Sequence, residues 1–360
     1  MKKKIVVLPG DGIGPEITEQ ALKVVRMISE LFNVSISVQE MLIGGASIDA
    51  AGTPITEEVI KQCKESDGIF LGAVGGPKWD DLSTEERPEK GLLQLRKELD
   101  LFTNLRPVRG YNSLIDASTL KRKYVEGIDL VVVRELTGGI YFGKPRFREK
   151  KKGITRAVDT MEYSTLEIDR IARAAFTIAL KRRKKVVSVD KANVLASSQL
   201  WRETVKEVAL DYPEVELINM LVDNCAMQLI RNPKQFDVIL TNNMFGDILS
   251  DAASMLTGSL GMLPSASLGE GPGLFEPVHG SAPDIAGKNL ANPLAAIESV
   301  ALMCKYALNM EQAGNIIERA VERVLEQGYR TADLSPDSSR IVSCSDIGEA
   351  VVEMVKKSKV

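Results

Sequence analysis

Short apolar runs rich in branched residues, at positions 5–8, 69–71, 130–133, 186–189 and 238–240, recur along the chain with amphipathic helical patterns between them. Uninterrupted runs of this length suit strands buried on both faces, and such strands belong to parallel sheets whose crossovers are helices. The helical patterns cover 16–31, 165–180, 199–210 and 245–256, each with apolar residues three or four apart. Two more fill 292–327, with a break expected near Gly314, and a last helix is expected over 346–355. The class is therefore α/β. With 360 residues, 44% hydrophobic and 26% charged, the chain exceeds one ordinary core, so two domains or one large doubly wound domain are expected.

Charge and cysteine usage narrow the choice of partners. A formal net charge of -3 offers no footprint for nucleic acid. The charged stretch 144–152 is expected to be a solvated loop or arm rather than a polyanion site. Cys63, Cys225, Cys304 and Cys344 are scattered without paired spacing, which argues against a thiolate metal site or a disulfide framework and for a reducing compartment. Lys2, Lys3 and Lys4 before the first apolar run imitate a signal peptide, but Pro9 and Gly10 end that run early. No other stretch could span a bilayer, so a cytoplasmic protein without a membrane partner is expected.

Several residues have the chemistry for a reactive site. Gly10-Asp11-Gly12-Ile13-Gly14-Pro15 follows the first strand, where a helix start can hold phosphate. Pro15 stands where a dinucleotide fingerprint needs a minimal side chain, so a tight strand-to-helix turn competes with phosphate binding. Arg96, Arg106 and Arg134 lie in or at the ends of elements, and converging guanidinium groups would orient a dicarboxylate; three surface arginines are the plain alternative. Asp247 and Asp251, four apart on one helix face, repel by roughly 0.2–0.5 kcal/mol unless a cation or the helix N-terminus offsets them. A hard divalent cation, Mg²⁺ or Mn²⁺, would do so. Lys191 and Tyr141 follow a strand and a glycine turn, positions from which a proton acceptor and a proton donor can work, although ordinary exposed lysines and half-buried tyrosines are commoner. His279 is the chain's one histidine and has no serine elbow with it, so cofactor contact or plain loop structure fits it better than nucleophilic catalysis.

Taken in order, LPGDGIGPE at 8–16, LLQLRKELDLFTNLRPV at 92–108, RELTGGIYFG at 134–143, DKANVL at 190–195, NMFGDILSD at 243–251 and EPVHGSAPDIAGKNLANP at 276–293 resemble the isocitrate/isopropylmalate family of β-decarboxylating dehydrogenases nearly end to end. The resemblance implies a non-Rossmann two-domain fold, with 1–101 plus 258–360 as the cofactor-binding domain, 102–257 as the dimerisation and metal-site domain, and the active cleft between them. It implies a homodimer in which Lys191 and Asp223 reach into the partner's site. Arg96, Arg106 and Arg134 would hold the malate-like carboxylates, and Asp223, Asp247 and Asp251 would surround Mg²⁺ or Mn²⁺, with Asp223 also beside the substrate. Lys191 would remove the hydroxyl proton, hydride would pass to NAD, and Tyr141 would protonate the carbon left by carbon dioxide.

The same resemblance puts Ile13, Glu276, His279, Gly280, Ser281, Ala282, Asp284, Ile285 and Asn292 around the cofactor. Asp284 would accept bonds from ribose hydroxyls and repel a 2'-phosphate, so NAD is expected over NADP, for which relatives usually carry Lys-Tyr at positions 284 and 285. Glu89, Leu92 and Leu93 would set substrate choice. Relatives that take a third carboxylate present serine and asparagine there, whereas an apolar wall beside Glu89 repels a carboxylate and buries an isopropyl group for roughly 2 kcal/mol. 3-Isopropylmalate and a step in leucine biosynthesis are therefore expected, with homoisocitrate, tartrate or D-malate as alternatives. Leu221 and Cys225 depart from the tyrosine and alanine common in relatives around Asp223.

Overall fold

A computed structural model describes residues 2–83, 86–118, 120–334 and 341–358. The chain divides into two compact units: unit 1 comprises Met1–Leu101, Tyr111–Thr119 and Thr257–Val360, and unit 2 comprises Phe102–Gly110 and Leu120–Leu256.

In unit 1 the strands run in the order β2 (Ser35–Glu40), β1 (Lys2–Gly10), β3 (Gly68–Ala73), β12 (Leu274–Pro277) and β11 (Pro264–Leu268). The first four are parallel to one another and β11 is antiparallel to β12. Every residue of β3 and of β12 is buried, which is why their short apolar runs carry no polar alternation. The helices are α1 (Gly14–Leu31), α2 (Gly45–Ala51), α3 (Glu57–Lys64), α4 (Pro88–Glu98), α10 (Leu294–Tyr306), α11 (Glu311–Glu326) and α12 (Cys344–Lys356). Pro15 occupies the first turn of α1, where its missing N–H leaves no helix bond unmade. The segment Tyr111–Thr119 joins this unit because Leu114 and Ile115 are buried and the Tyr111 hydroxyl donates to Glu298 on α10.

Unit 2 orders its strands β4 (Thr103–Arg109), β5 (Asp129–Glu135), β10 (Val238–Thr241), β8 (Lys185–Asp190) and β9 (Glu216–Leu221), with β4 antiparallel to β5 and the rest parallel. Its helices are α5 (Arg122–Val125), α6 (Thr165–Leu180), α7 (Ala196–Ala209), α8 (Val222–Arg231) and α9 (Asn243–Ser254). The 16-residue α6 begins at a capping box between Ser164 and Glu167, so its start is set by side chains that satisfy otherwise orphaned amides. The charged stretch forms a two-stranded antiparallel ribbon, β6 (Phe147–Lys151) and β7 (Ile154–Val158), joined through Gly153 at a φ of 81°. Among the described residues no helix is long and apolar enough to cross a membrane.

The helical block near the chain end breaks at 307–310 rather than near Gly314, which lies inside α11. Gly314 is small because α10 approaches there: a Cβ would stand 2.7 Å from the Ala301 carbonyl oxygen and 2.6 Å from Lys305 Cγ. Gly314→Ala should therefore destabilise unit 1 by about 1–2 kcal/mol in urea titration, although alanine is the better helix former by about 1 kcal/mol. A stabilised variant would mean that α10 yields at no cost.

Candidate active site

The site in unit 2 starts from strand register. Asn104 stands opposite Arg134 and Arg106 opposite Val132 in the β4–β5 pair. Side chains directly opposite, or two apart on one strand, share a sheet face, so Asn104, Arg106 and Arg134 project together. Arg106 is 6% and Arg134 3% exposed, and helix α9 supplies their counter-charges. Arg106 donates to Asn104 Oδ1 (2.9 Å), Ser250 Oγ (2.6 Å), Asp251 Oδ1 (3.1 Å) and Asp247 Oδ1 (3.4 Å). Arg134 donates from Nε (3.0 Å) and from a terminal nitrogen (2.7 Å) to Asn243 Oδ1, and from its other terminal nitrogen to Asp247 Oδ1. Gly246 makes room for this: a Cβ there would lie 2.7 Å from Arg134 Cγ.

The Tyr141 hydroxyl donates to Asp247 Oδ2 at 2.9 Å, so one carboxylate gathers both guanidinium groups and the phenol. The repulsion expected between Asp247 and Asp251 is thus offset by arginine in the chain alone. Burial first, then the Asp247 charge, still push the Asp251 carboxyl above 3.8, while Arg106 and Arg134 pull it down. Burial and Asp247 likewise raise the Tyr141 phenol above 10, which keeps it a proton donor at neutral pH. The two carboxylates are hard oxygen donors on one helix face, with side chains 35% and 56% exposed, a donor set that suits Mg²⁺ or Mn²⁺. Among the described residues no three His, Cys, Asp or Glu side chains gather as a complete metal cluster.

Asp223, expected as a third ligand, lies in the first turn of α8 and pairs with Lys191, Nζ to Oδ1 at 2.7 Å. The Lys191 hydrogen bond holds its carboxyl below the usual range. Lys191 itself follows β8 and is flanked by Asp190, which is 1% exposed, accepts from Ala192 N (2.9 Å) and receives a forked bond from Arg202 (2.8 and 2.7 Å).

Unit 1 carries the other candidates. The Gly10–Gly14 turn lies on the segment around Ser281: Ile13 N donates to Ser281 O at 2.8 Å, and Gly12, at a φ of 58°, has no space for a Cβ, which would fall 2.0 Å from the same oxygen. Ser281 is buried and Ala282 half-buried, whereas Gly280 and Asp284 are exposed. Ile285 N bonds to Ala282 O, and Lys288 Nζ to Asp284 O. His279 Nδ1 meets Gly280 O at 2.9 Å, while its Nε2 is buried with no hydrogen-bond partner among the described residues. Burial pushes the imidazole below 6.5, so it is neutral at physiological pH. Asn292 accepts from Leu294 N at the start of α10 and donates to Asp333 at 3.1 Å. On α4, Glu89, Leu92, Leu93 and Arg96 fall three or four residues apart along one face. The Glu89 carboxylate reaches the space a Cβ on Gly75 would fill, Leu92 and Leu93 are half-buried, and Arg96 donates to Glu276 Oε1 at 2.7 Å with its Nε without a hydrogen-bond partner among the described residues.

Sequence spacing alone did not point to Asn104, Asn243, Ser250 or Asp333. The two-residue step from Asn104 to Arg106 in TNLRP carries the signal for the first, but Pro107 hides the strand. Nothing local marks the others, because their partners are over 40 residues away or reached across the fold.

A model of the family described as isocitrate/isopropylmalate dehydrogenase matches residues 4–351. The chain is 58% identical to the 3-isopropylmalate dehydrogenase of Halalkalibacterium halodurans over 99% of both chains, and 56% identical to that of Aquifex aeolicus over 100% of this chain and 99% of the relative. Among solved structures it is similar to an isocitrate dehydrogenase from Methylococcus capsulatus, with a TM-score of 0.88 and 36% identity over 99% of this chain and 100% of the other. It is also similar to an apo β-decarboxylating dehydrogenase from Thermococcus kodakarensis, with a TM-score of 0.79 and 35% identity over 98% and 96%.

Asp251→Asn removes a carboxyl whose folded pKa lies above the 3.8 of the unfolded chain. An ionised group of that kind lowers stability as pH rises through the window above 3.8, and the loss persists at neutral pH. The variant should therefore melt higher than wild type in EDTA at about pH 7 and equally at about pH 3, where the carboxyl is protonated in both states. A lower melting temperature at neutral pH would mean that the Arg106 pair outweighs burial.

Proposed function

The chain belongs to the isocitrate/isopropylmalate dehydrogenase family, and on that premise we propose that it oxidises (2R,3S)-3-isopropylmalate with NAD and decarboxylates it to 2-oxo-4-methylpentanoate in leucine biosynthesis. The observation that carries this reading is the convergence of Arg106, Arg134 and Tyr141 on Asp247. Guanidinium forks buried at that point are built to hold carboxylates, and in the free chain they hold the protein's own. A substrate carboxylate takes their place on Arg106 and Arg134, and in unit 1 Arg96, whose Nε has no hydrogen-bond partner among the described residues, is the further arginine proposed to hold a carboxylate.

Asp247 and Asp251, with Asp223, would hold Mg²⁺ or Mn²⁺, which when bound stabilises negative charge on the substrate's hydroxyl oxygen. Lys191 takes the hydroxyl proton, and NAD accepts the hydride. Loss of the carboxyl beta to the new ketone leaves a carbon that Tyr141, held protonated, can protonate. The buried unpartnered Nε2 of His279 and the tight seat of Ile13 on Ser281 support cofactor binding in unit 1, with Glu276, Gly280, Ala282, Asp284, Ile285 and Asn292 around it. An exposed carboxylate at Asp284 favours NAD over NADP. Glu89, Leu92 and Leu93 select the isopropyl group, and the four free buried cysteines support a cytoplasmic setting.

The site is completed by a second copy. Lys191 and Asp223 pair with each other rather than with Asp247 and Asp251, and Met227, Ile230 and Ile248 on α8 and α9 are apolar yet 59–61% exposed, a face suited to self-association.

NADH formation with 3-isopropylmalate, isocitrate and D-malate should appear with the first alone and vanish in EDTA; EDTA-resistant turnover would remove the metal from the scheme. Lys191→Ala and Tyr141→Phe chains should each be inactive, but co-refolded they should recover about a quarter of wild-type turnover, since half the dimers carry one intact site. No recovery would place Lys191 in its own chain's site.

A further inference from the structure

Unit 1 buries a carboxylate that the reaction as proposed does not use. Asp11 is 5% exposed and lies in the turn between β1 and α1, two residues before Ile13. Its Oδ2 accepts from Gly45 N and from Gly75 N, both at 2.8 Å, and its Oδ1 accepts from Ala46 N at 2.8 Å. Gly45 and Ala46 are the first two residues of α2, whose opening amides find no acceptor inside the helix. Gly75 lies in the loop that follows β3. A buried carboxylate needs matched donors, and here they are main-chain amides drawn from two separate segments. Gly44 is fitted to this contact: at a φ of 72°, a Cβ there would stand 2.5 Å from Asp11 Oδ2.

The same turn and the same loop carry groups of the proposed site. Ile13 N donates to Ser281 O at 2.8 Å in the cofactor segment, and Glu89 Oε1 stands 2.6 Å from the place a Cβ on Gly75 would take. Two other sets of bonds lie nearby. Asp11 N donates to Ala73 O at 2.7 Å, which holds the turn on the end of β3, and Asp49 joins α2 to Lys78 and Trp79 through exposed bonds. Neither set reaches the amides of Gly45, Ala46 and Gly75, which have no acceptor but Asp11 among the described residues. We propose that Asp11 is a positioning residue for the cofactor-binding and substrate-selecting groups of unit 1: its carboxylate is the link that fixes the Gly75 loop and the start of α2 against the turn that seats Ile13 on Ser281. Without that acceptor the loop beside Glu89 and the start of α2 can shift against the turn. Part of the free energy of cofactor binding then goes into restoring an arrangement that the wild-type chain already holds.

This inference rests on the dehydrogenase reading for its kinetic arm and on structure alone for its second. Asp11→Ala should raise KM for NAD about tenfold and change kcat by less than about twofold, the split expected when ground-state and transition-state binding weaken together. Hydrogen exchange of the Gly45, Ala46 and Gly75 amides should rise about tenfold, while α11 in the same unit keeps its protection. Unchanged KM for NAD, unchanged exchange at those amides, or an equal rise throughout α11 would overturn the proposal, the last because it marks a general loss of stability. Wild-type chain that makes no NADH would overturn the dehydrogenase reading instead, and the exchange result would still decide on Asp11. Should Asp11→Ala fail to fold, Asp11→Asn, which keeps the shape but turns an NH₂ group toward main-chain donors, carries the same two measurements.

Discussion

A buried guanidinium must be matched by negative charge and hydrogen bonds, or the fold does not tolerate it. Two of them stand on adjacent strands of unit 2, and much of the local architecture follows from that demand. Helix α9 begins at an Asn242 cap, presents Asn243 and Asp247 one turn apart, drops to glycine between them so that the Arg134 stem can pass, and adds Ser250 and Asp251 for Arg106. The same matching that stabilises this region would also make it exchangeable: carboxylates that pair with arginine are the groups a cation would claim, and arginines so released are the groups a diacid would bind. Stability and the proposed activity would then draw on one set of charges.

The α/β class and the buried strands were legible because parallel sheets impose continuous apolar runs, and α6 was legible to the residue because its capping box is local. The edge strands β2 and β9 were not, since a half-exposed edge lacks a clear period, and β4 was masked by Pro107. Gly314 misled for a related reason. Glycine punctuates helices when the backbone needs it, but here it serves a neighbouring helix, a contact no local pattern encodes.

The candidate site residues divide in the same way. Asp247 and Asp251 could be paired from spacing, because the helix period is a local rule. That Arg106 and Arg134 belong with them required strand register, and that Tyr141 meets Asp247 required the turn held by Glu135. Recognition of ordered motifs supplied what spacing could not, since family resemblance carries long-range geometry that a single chain's periodicity does not.

The four cysteines are buried and unpaired, and burial drives each thiol up to about 12. A folded molecule thus presents almost no thiolate to an alkylating reagent, and reaction must wait for local opening. Cys225 sits in unit 2, whereas Cys63, Cys304 and Cys344 sit in unit 1. The protein therefore carries its own reporters, one set per unit, from which the rate of labelling at each position reads how readily each half comes apart.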